Sequence, residues 1–173
     1  LASIKNTQKI TKAMELVAGA KMRRAVEGTM ASRFYAKLAW DLAQRLAKTG
    51  IIASTDYLAD FFKPVENPNK ITILMVTSNR GLAGAFNSNI TKIVAKHIQE
   101  VGKENVEVVC LGKKGVPMLS SLWIKPVQAY DKDDSATDTS SIVTLSNYLY
   151  QQFKQGKTNQ VLIAYTNFKS PLV

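Results

Sequence analysis

Apolar and helix-favouring residues repeat at helical spacing through the first 48 residues. The apolar positions of this pattern are Ile10, Met14, Val17, Ala31, Leu38, Leu42 and Leu46. The stretch has no proline, two glycines and ten alanines, so the sequence predicts one long helix. At about 1.5 Å per residue it would be about 70 Å long. A helix with so long an apolar stripe usually pairs with another helix, and no later stretch of this sequence is long enough to be that partner.

The pattern changes at about residue 50. Residues 51–69 contain turn-forming asparagine and proline and are predicted to be a linker. Beyond them, short apolar runs alternate with helical stretches. The predicted strands are residues 71–77, 106–111, 160–166 and a run at 123–130 that Pro126 interrupts, and the predicted helices are 89–101, 114–122 and 140–155. This alternation indicates parallel strands joined by right-handed crossovers, so residues 70–173 are predicted to be a small α/β domain.

Positive charge is concentrated in the predicted long helix. Residues 1–50 contain ten basic and three acidic side chains, which is +7 of the total charge of +10. Such a bias indicates an acidic partner. Binding of the basic helix to nucleic acid stays an alternative, although regular leucine heptads are lacking and the basic groups are spread over 48 residues.

The sequence offers little material for catalysis. A single cysteine, Cys110, and a single histidine, His97, exclude a zinc site built from cysteines and histidines. The loop at 79–87 has only Gly81 and Gly84 and therefore lacks the G-x-G-x-x-G pattern of a dinucleotide site. Residues 112–115, G-K-K-G, lack the spacer of a phosphate-binding loop and are predicted to be a solvated turn, and residues 131–137 an acidic surface loop without the calcium-loop pattern.

We therefore expect no enzymatic activity, no cofactor and no metal. The competing hypothesis of a nucleotide-binding α/β enzyme predicts saturable dinucleotide binding, which we do not expect. No apolar run approaches the roughly 18 to 20 residues of a membrane span, so insertion into a membrane is not expected either.

Two stretches resemble signatures of the γ subunits of F-type ATP synthases. The first runs N-T-Q-K-I-T-K-A-M-E from residue 6 and continues to K-M-R-R-A at residues 21–25. The second, S-N-R-G-L-A-G-A-F-N at residues 78–87, is similar to that family's loop S-D-R-G-L-C-G-G-[FL]-N. Asn79, Ala83 and Ala85 differ from the loop pattern, and Gly19 stands where alanine is common. With the order of elements, the resemblance spans essentially the whole chain.

The resemblance implies an architecture. Residues 1–50 would be half of an antiparallel coiled coil, the shaft, and residues 70–173 a Rossmann-like α/β domain with a mainly parallel sheet. The second half of the coiled coil would be a C-terminal helix outside this sequence. Because the sequence starts at Leu1 rather than methionine and stops at Val173, we expect it to be a piece of a longer chain.

The resemblance also implies a function. The chain would be the non-catalytic rotor subunit of the central stalk, present in one copy per complex, which couples transmembrane proton flow to conformational change in the α/β hexamer. Its other partners would be the ε subunit and the c-ring. Its location would be peripheral, at the cytoplasmic face of a bacterial inner membrane or, alternatively, the matrix side of an organelle inner membrane.

Site residues follow from the same resemblance. The side chains expected to contact the α and β subunits are Lys9, Lys12, Met14, Lys21, Arg23 and Arg24. The loop motif of the α/β domain comprises Arg80, Gly81, Gly84 and Asn87.

Overall fold

The computed structural model describes residues 1–49, 65, 68–131 and 139–170. Two compact units make up the chain, Leu1–Pro64 and Val65–Val173. Most of the predicted linker at 51–69 and of the predicted acidic loop at 131–137 lies outside the described residues, so both stay predictions.

A single helix, α1, forms the described part of the first unit. It spans Ala2–Lys48, 47 residues, as the sequence predicted. The helix ends at Thr49, whose backbone N–H donates to the carbonyl oxygen of Arg45, 3.1 Å away. Arg45 and Lys48 in the last turn complement the negative end of the helix dipole. No residue of α1 is buried.

The second unit is a four-stranded parallel sheet with helices. Its elements are β1 (Ile71–Val76), α2 (Phe86–Val101), a short 3-10 helix (Lys103–Asn105), β2 (Val106–Leu111), α3 (Gly115–Ser120), β3 (Gln128–Tyr130), α4 (Ser140–Lys154) and β4 (Gln160–Ala164). The strand order is β3-β2-β1-β4, and every pair is parallel. This confirms the predicted fold class.

Apolar side chains cover both faces of the sheet. On one face, Ile73 and Met75 of β1 belong to a core cluster with Val94 of α2 and Leu119 of α3. On the other face, Leu74, Val109 and Leu111 pack with Leu145 of α4, together with partly buried Tyr130 and Tyr148. Strands buried on both faces read as continuous apolar runs, which is why β1 and β2 were recognisable in the sequence.

Several predicted bounds differ from the structure by one or two residues, and two predicted elements differ by more. Helix α2 begins at Phe86, three residues before the predicted start. The predicted strand at 123–130 is wrong over its first half, since β3 contains only Gln128–Tyr130. Trp123 has a φ of 57°, which a strand does not accept, and Pro126 has no N–H to donate to a neighbouring strand.

Candidate functional site

The basic side chains of α1 are exposed to solvent. All six predicted contact residues on this helix, Lys9, Lys12, Met14, Lys21, Arg23 and Arg24, belong to the exposed class. Lys12 Nζ lies 3.0 Å from Glu15 Oε2, but both side chains are more than half exposed, so this ion pair adds little stability. The charge of Lys12 therefore remains exposed to solvent.

Helix geometry divides these six residues between two sides of α1. At about 100° per residue, Lys9, Lys12 and Arg23 lie within about 60° of one another around the helix axis, and we call this side the basic face. Met14, Lys21 and Arg24 lie further around the axis, with Arg24 about 60° from Lys9 and the other two at least about 120° from it. The sequence analysis treated the six residues as one contact surface. The helical period of 3.6 residues per turn could already have shown that they do not all lie on one side of the helix.

Met14, Lys21 and Arg24 lie along the apolar stripe of the helix. We call this stripe the seam, and its other members are Ile10, Val17, Ala31, Tyr35, Leu38, Leu42 and Leu46, all of them exposed. Within this unit nothing described shields the seam from water. Exposed apolar surface of this extent indicates a binding surface for another polypeptide.

In the second unit, the loop after β1 is held by a reciprocal side-chain pair. The backbone N–H of Ser78 donates to Asn87 Oδ1 at 3.0 Å, and Asn87 Nδ2 donates to Ser78 Oγ at 2.8 Å. Ser78 Oγ in turn donates to the carbonyl oxygen of Arg80 at 2.7 Å. Asn87 is buried, so the structure gives this predicted loop residue a role in closing the loop.

The other three predicted loop residues differ in what their positions require. Gly84 has a φ of +54°, a backbone conformation that favours glycine. Gly81 has no such conformation, and a Cβ there would meet nothing closer than Lys114 Cε at 4.0 Å. Arg80 is exposed. Leu82, between the glycines, was missed by the sequence reasoning; it has a φ of 61° and is 92% exposed.

The loop after β2 packs directly against the end of β1. Gly112 has a φ of +109°, and a Cβ there would lie 2.3 Å from the carbonyl oxygen of Thr77. Thr77 Oγ1 donates to the Gly112 carbonyl oxygen at 3.0 Å. Gly115 is also buried, against Cys110 and Thr77. The prediction of a solvated turn is therefore wrong for the two glycines and right only for the exposed Lys113 and Lys114.

The sequence and the fold of this chain are similar to those of known proteins. The family model described as ATP synthase matches residues 1–173. The chain belongs to the ATP synthase family. A protein named ATP synthase gamma chain from Chlorobaculum parvum is 34% identical over 177 residues, covering 99% of this chain and 59% of that protein. One of the same name from Leptospira biflexa is 32% identical over 170 residues, covering 97% of this chain and 57% of that protein. The chain thus spans less than two thirds of these relatives.

A solved structure supports the fold. The central stalk and c-ring of the Tetrahymena thermophila mitochondrial ATP synthase contain a chain with a TM-score of 0.68 and 22% identity. The match covers 93% of this chain and 66% of that one. At this identity, the likeness shows the fold alone, a long helix and a small parallel sheet.

Cys110, the one cysteine of the sequence, is buried. Burial raises the pKa of the Cys110 thiol from 9.0 to about 11, which disfavours the reactive thiolate. Among the described residues, no cluster of three or more histidine, cysteine, aspartate or glutamate side chains is arranged to hold a metal ion. No helix in the described part of the chain combines the length and apolar character needed to cross a membrane.

Proposed function

We propose that this chain is the central-stalk rotor subunit of an F-type ATP synthase and that it is not itself catalytic. The observation that carries the proposal is α1: 47 residues of helix with no buried residue, with an apolar seam on one side and a basic face on another. Membership of the ATP synthase family supports the same function.

The two sides of α1 suit two different partners. The seam has the composition of a helix-pairing surface and fits a second helix from the part of the protein beyond residue 173. The basic face, with Lys9, Lys12 and Arg23, then stays exposed and fits acidic segments of the surrounding α and β subunits. Within the predicted contact set, Met14, Lys21 and Arg24 lie closer to the helix pair than to that ring.

The mechanism transfers binding energy and requires no chemistry in this chain. A shaft that contacts only some subunits of the ring at a time changes, as it turns, which catalytic site is open. Driving a site from 1:99 to 99:1 requires about 5.5 kcal/mol of difference in contact energy. Exposed ion pairs contribute about 0.2–1 kcal/mol each, so charge on the basic face must act together with steric contact.

The second unit has a supporting part in the proposal. Its loops at the carboxyl ends of β1 and β2, which include Arg80, Gly81, Gly84 and Asn87, are held at Asn87 and Gly112 by the hydrogen bonds described above and would offer a surface to neighbouring subunits. We infer that the ε subunit and the c-ring bind this unit. The location that follows is peripheral, at the cytoplasmic face of a bacterial inner membrane or the matrix side of an organelle membrane.

Two charge-matched double variants test the assignment. Lys9→Ala/Arg23→Ala removes one lysine and one arginine from the basic face, and Lys21→Ala/Arg24→Ala removes the same residue types from the seam side. Each is introduced into the full-length chain of the assembled complex, and ATP-driven proton pumping is measured relative to ATP hydrolysis. Two lost contacts of about 0.2–1 kcal/mol each predict a loss of coupling between about 2-fold and 30-fold for the first variant.

The second variant is the control. It is expected to change the thermal stability of the helix pair more than the coupling ratio. Equal coupling losses in both variants would show that only net charge matters and would contradict the basic-face assignment. Unchanged coupling in both would remove these side chains from the mechanism. If the chain instead bound duplex DNA with a steep salt dependence and failed to assemble with α and β subunits, the nucleic-acid alternative would replace the rotor proposal.

A further inference from the structure

Trp123 occupies a backbone position that normally belongs to glycine. The N–H of Trp123 donates to the carbonyl oxygen of Ser120, and the N–H of Ile124 donates to that of Leu119, both at 3.0 Å. This pair of bonds is the Schellman arrangement that ends a helix, with Trp123 at the left-handed position, φ 57°. A side chain other than glycine is strained in that conformation.

Packing does not compensate for this strain, because Trp123 is 87% exposed. Lys103 Nζ donates to the Trp123 carbonyl oxygen at 2.6 Å, which fixes the turn from the neighbouring 3-10 helix. A large indole held outward at a strained and fixed position contributes nothing evident to the fold. Such outliers are found where the protein contacts a ligand or partner.

A groove of about 600 Å³ opens beside this indole. Its walls include Trp123, Pro126 and Val127, and its floor includes Val116 and Ile124, which also pack against the core. The groove runs along Gln128 and Ala129 of β3, which is the last strand on its side of the described sheet. An apolar trough beside an edge strand suits an extended segment that places a side chain in the trough.

The charge of the groove indicates what kind of peptide would bind there. Lys125 is exposed and is the one charged residue among the described residues that line the groove. We propose that this groove, defined by Trp123, Lys125 and the edge of β3, binds an extended peptide segment of a partner protein that carries an apolar side chain next to a carboxylate. A lipid surface fits less well, because the site is concave and membrane binding requires several clustered cations.

Fluorescence of Trp123 in the full-length chain tests the proposal. Every other tryptophan, Trp40 included, is replaced by phenylalanine, and the protein is titrated with the blocked pentapeptide Glu-Leu-Glu-Phe-Glu or with Lys-Leu-Lys-Phe-Lys. The expected result is a saturable blue shift with the acidic peptide and at least fivefold weaker binding of the basic one. Lys125→Glu is expected to reverse this preference.

Trp123→Gly separates binding from folding. Glycine accepts the left-handed conformation, so the melting temperature is expected to stay unchanged or rise, while binding of a labelled acidic peptide weakens at least tenfold. Ile93→Ala, an exposed apolar site on α2 outside the groove, is the matched control and should leave binding unchanged. Absence of saturable binding overturns the proposal. So does a blue shift with phosphatidylserine vesicles in place of the peptide, or a Trp123→Gly variant that melts earlier and still binds.

Discussion

Gly112→Ala is a substitution for which the structure predicts a large loss of stability. The added Cβ would lie 2.3 Å from the Thr77 carbonyl oxygen and 2.8 Å from the Thr77 carbonyl carbon. Both are backbone atoms of the β1 end, which is hydrogen-bonded to β2 through Thr77 N–H and the Leu111 carbonyl oxygen at 2.8 Å, so they cannot move aside cheaply. Overpacking adds about 1–3 kcal/mol, and a left-handed backbone costs a non-glycine residue about 1–2 kcal/mol. The expected destabilisation is therefore about 2–5 kcal/mol.

Two neighbouring glycines give graded controls. Gly84→Ala meets no atom within 4 Å but has a φ of +54°, so only the conformational cost of about 1–2 kcal/mol applies. Gly81→Ala has neither problem and is expected to change stability by less than about 0.5 kcal/mol. Hydrogen exchange of the β1 amides in the full-length chain, followed by mass spectrometry, measures the opening free energy of this unit without interference from α1.

The decisive result is that the loss of stability increases in the order Gly81→Ala, Gly84→Ala, Gly112→Ala. If Gly112→Ala were no more destabilising than Gly84→Ala, the close approach of the two loops would be wrong. If Gly81→Ala reduced coupling of the assembled complex while β1 exchange stayed unchanged, Gly81 would have a contact role that the steric argument does not supply. A neutral Gly81→Ala in both assays would leave this glycine without a structural or functional requirement.

Two further predictions concern buried polar groups of the second unit. Cys110 should react with a thiol reagent far more slowly in the native chain than after unfolding. The pKa of the Cys110 thiol in the folded chain, about 11, lies above its ordinary value of 9.0. The contribution of this thiol to the free energy of unfolding is therefore complete below pH 9 and is lost as the pH rises from 9 to 11. Cys110→Ala should flatten the fall in unfolding free energy between pH 9 and pH 11. Asn87→Ala removes both bonds to Ser78 and should destabilise the unit by about 1–3 kcal/mol, whereas Asn159→Ala, at an exposed pair, should cost less than half as much by urea unfolding.

The sequence predicted those elements whose stability depends on local pattern. The boundaries of α1 and β2 followed from composition and apolar runs, since the signals lie inside the elements themselves. The environment of Gly112 could not be predicted in this way. Its requirement for glycine comes from Thr77, which is 35 residues away and meets it only because the two strands are adjacent and parallel.

The turn at Trp123 could not be predicted for a different reason. A glycine at this place would have indicated a helix end in the sequence, and tryptophan removed that signal. With glycine absent, the β-favouring residues around it predicted a strand. The tryptophan that hides the turn from sequence reasoning is thus the same residue that lines the groove.

The backbone of α1 also bears on why a rotor shaft would need a second helix. Thr29 Oγ1 donates to the Ala25 carbonyl oxygen at 2.8 Å and Ser32 Oγ to that of Gly28 at 3.0 Å, and such bonds weaken and bend helices. Gly28 adds backbone freedom at the same place. In the proposed rotor function, bending at this segment would reduce the torque that a lone helix could transmit. A partner helix along the seam would restrain the bend, so under the proposed function the exposed apolar side chains of α1 would contribute to the stiffness of the shaft as well as to its stability.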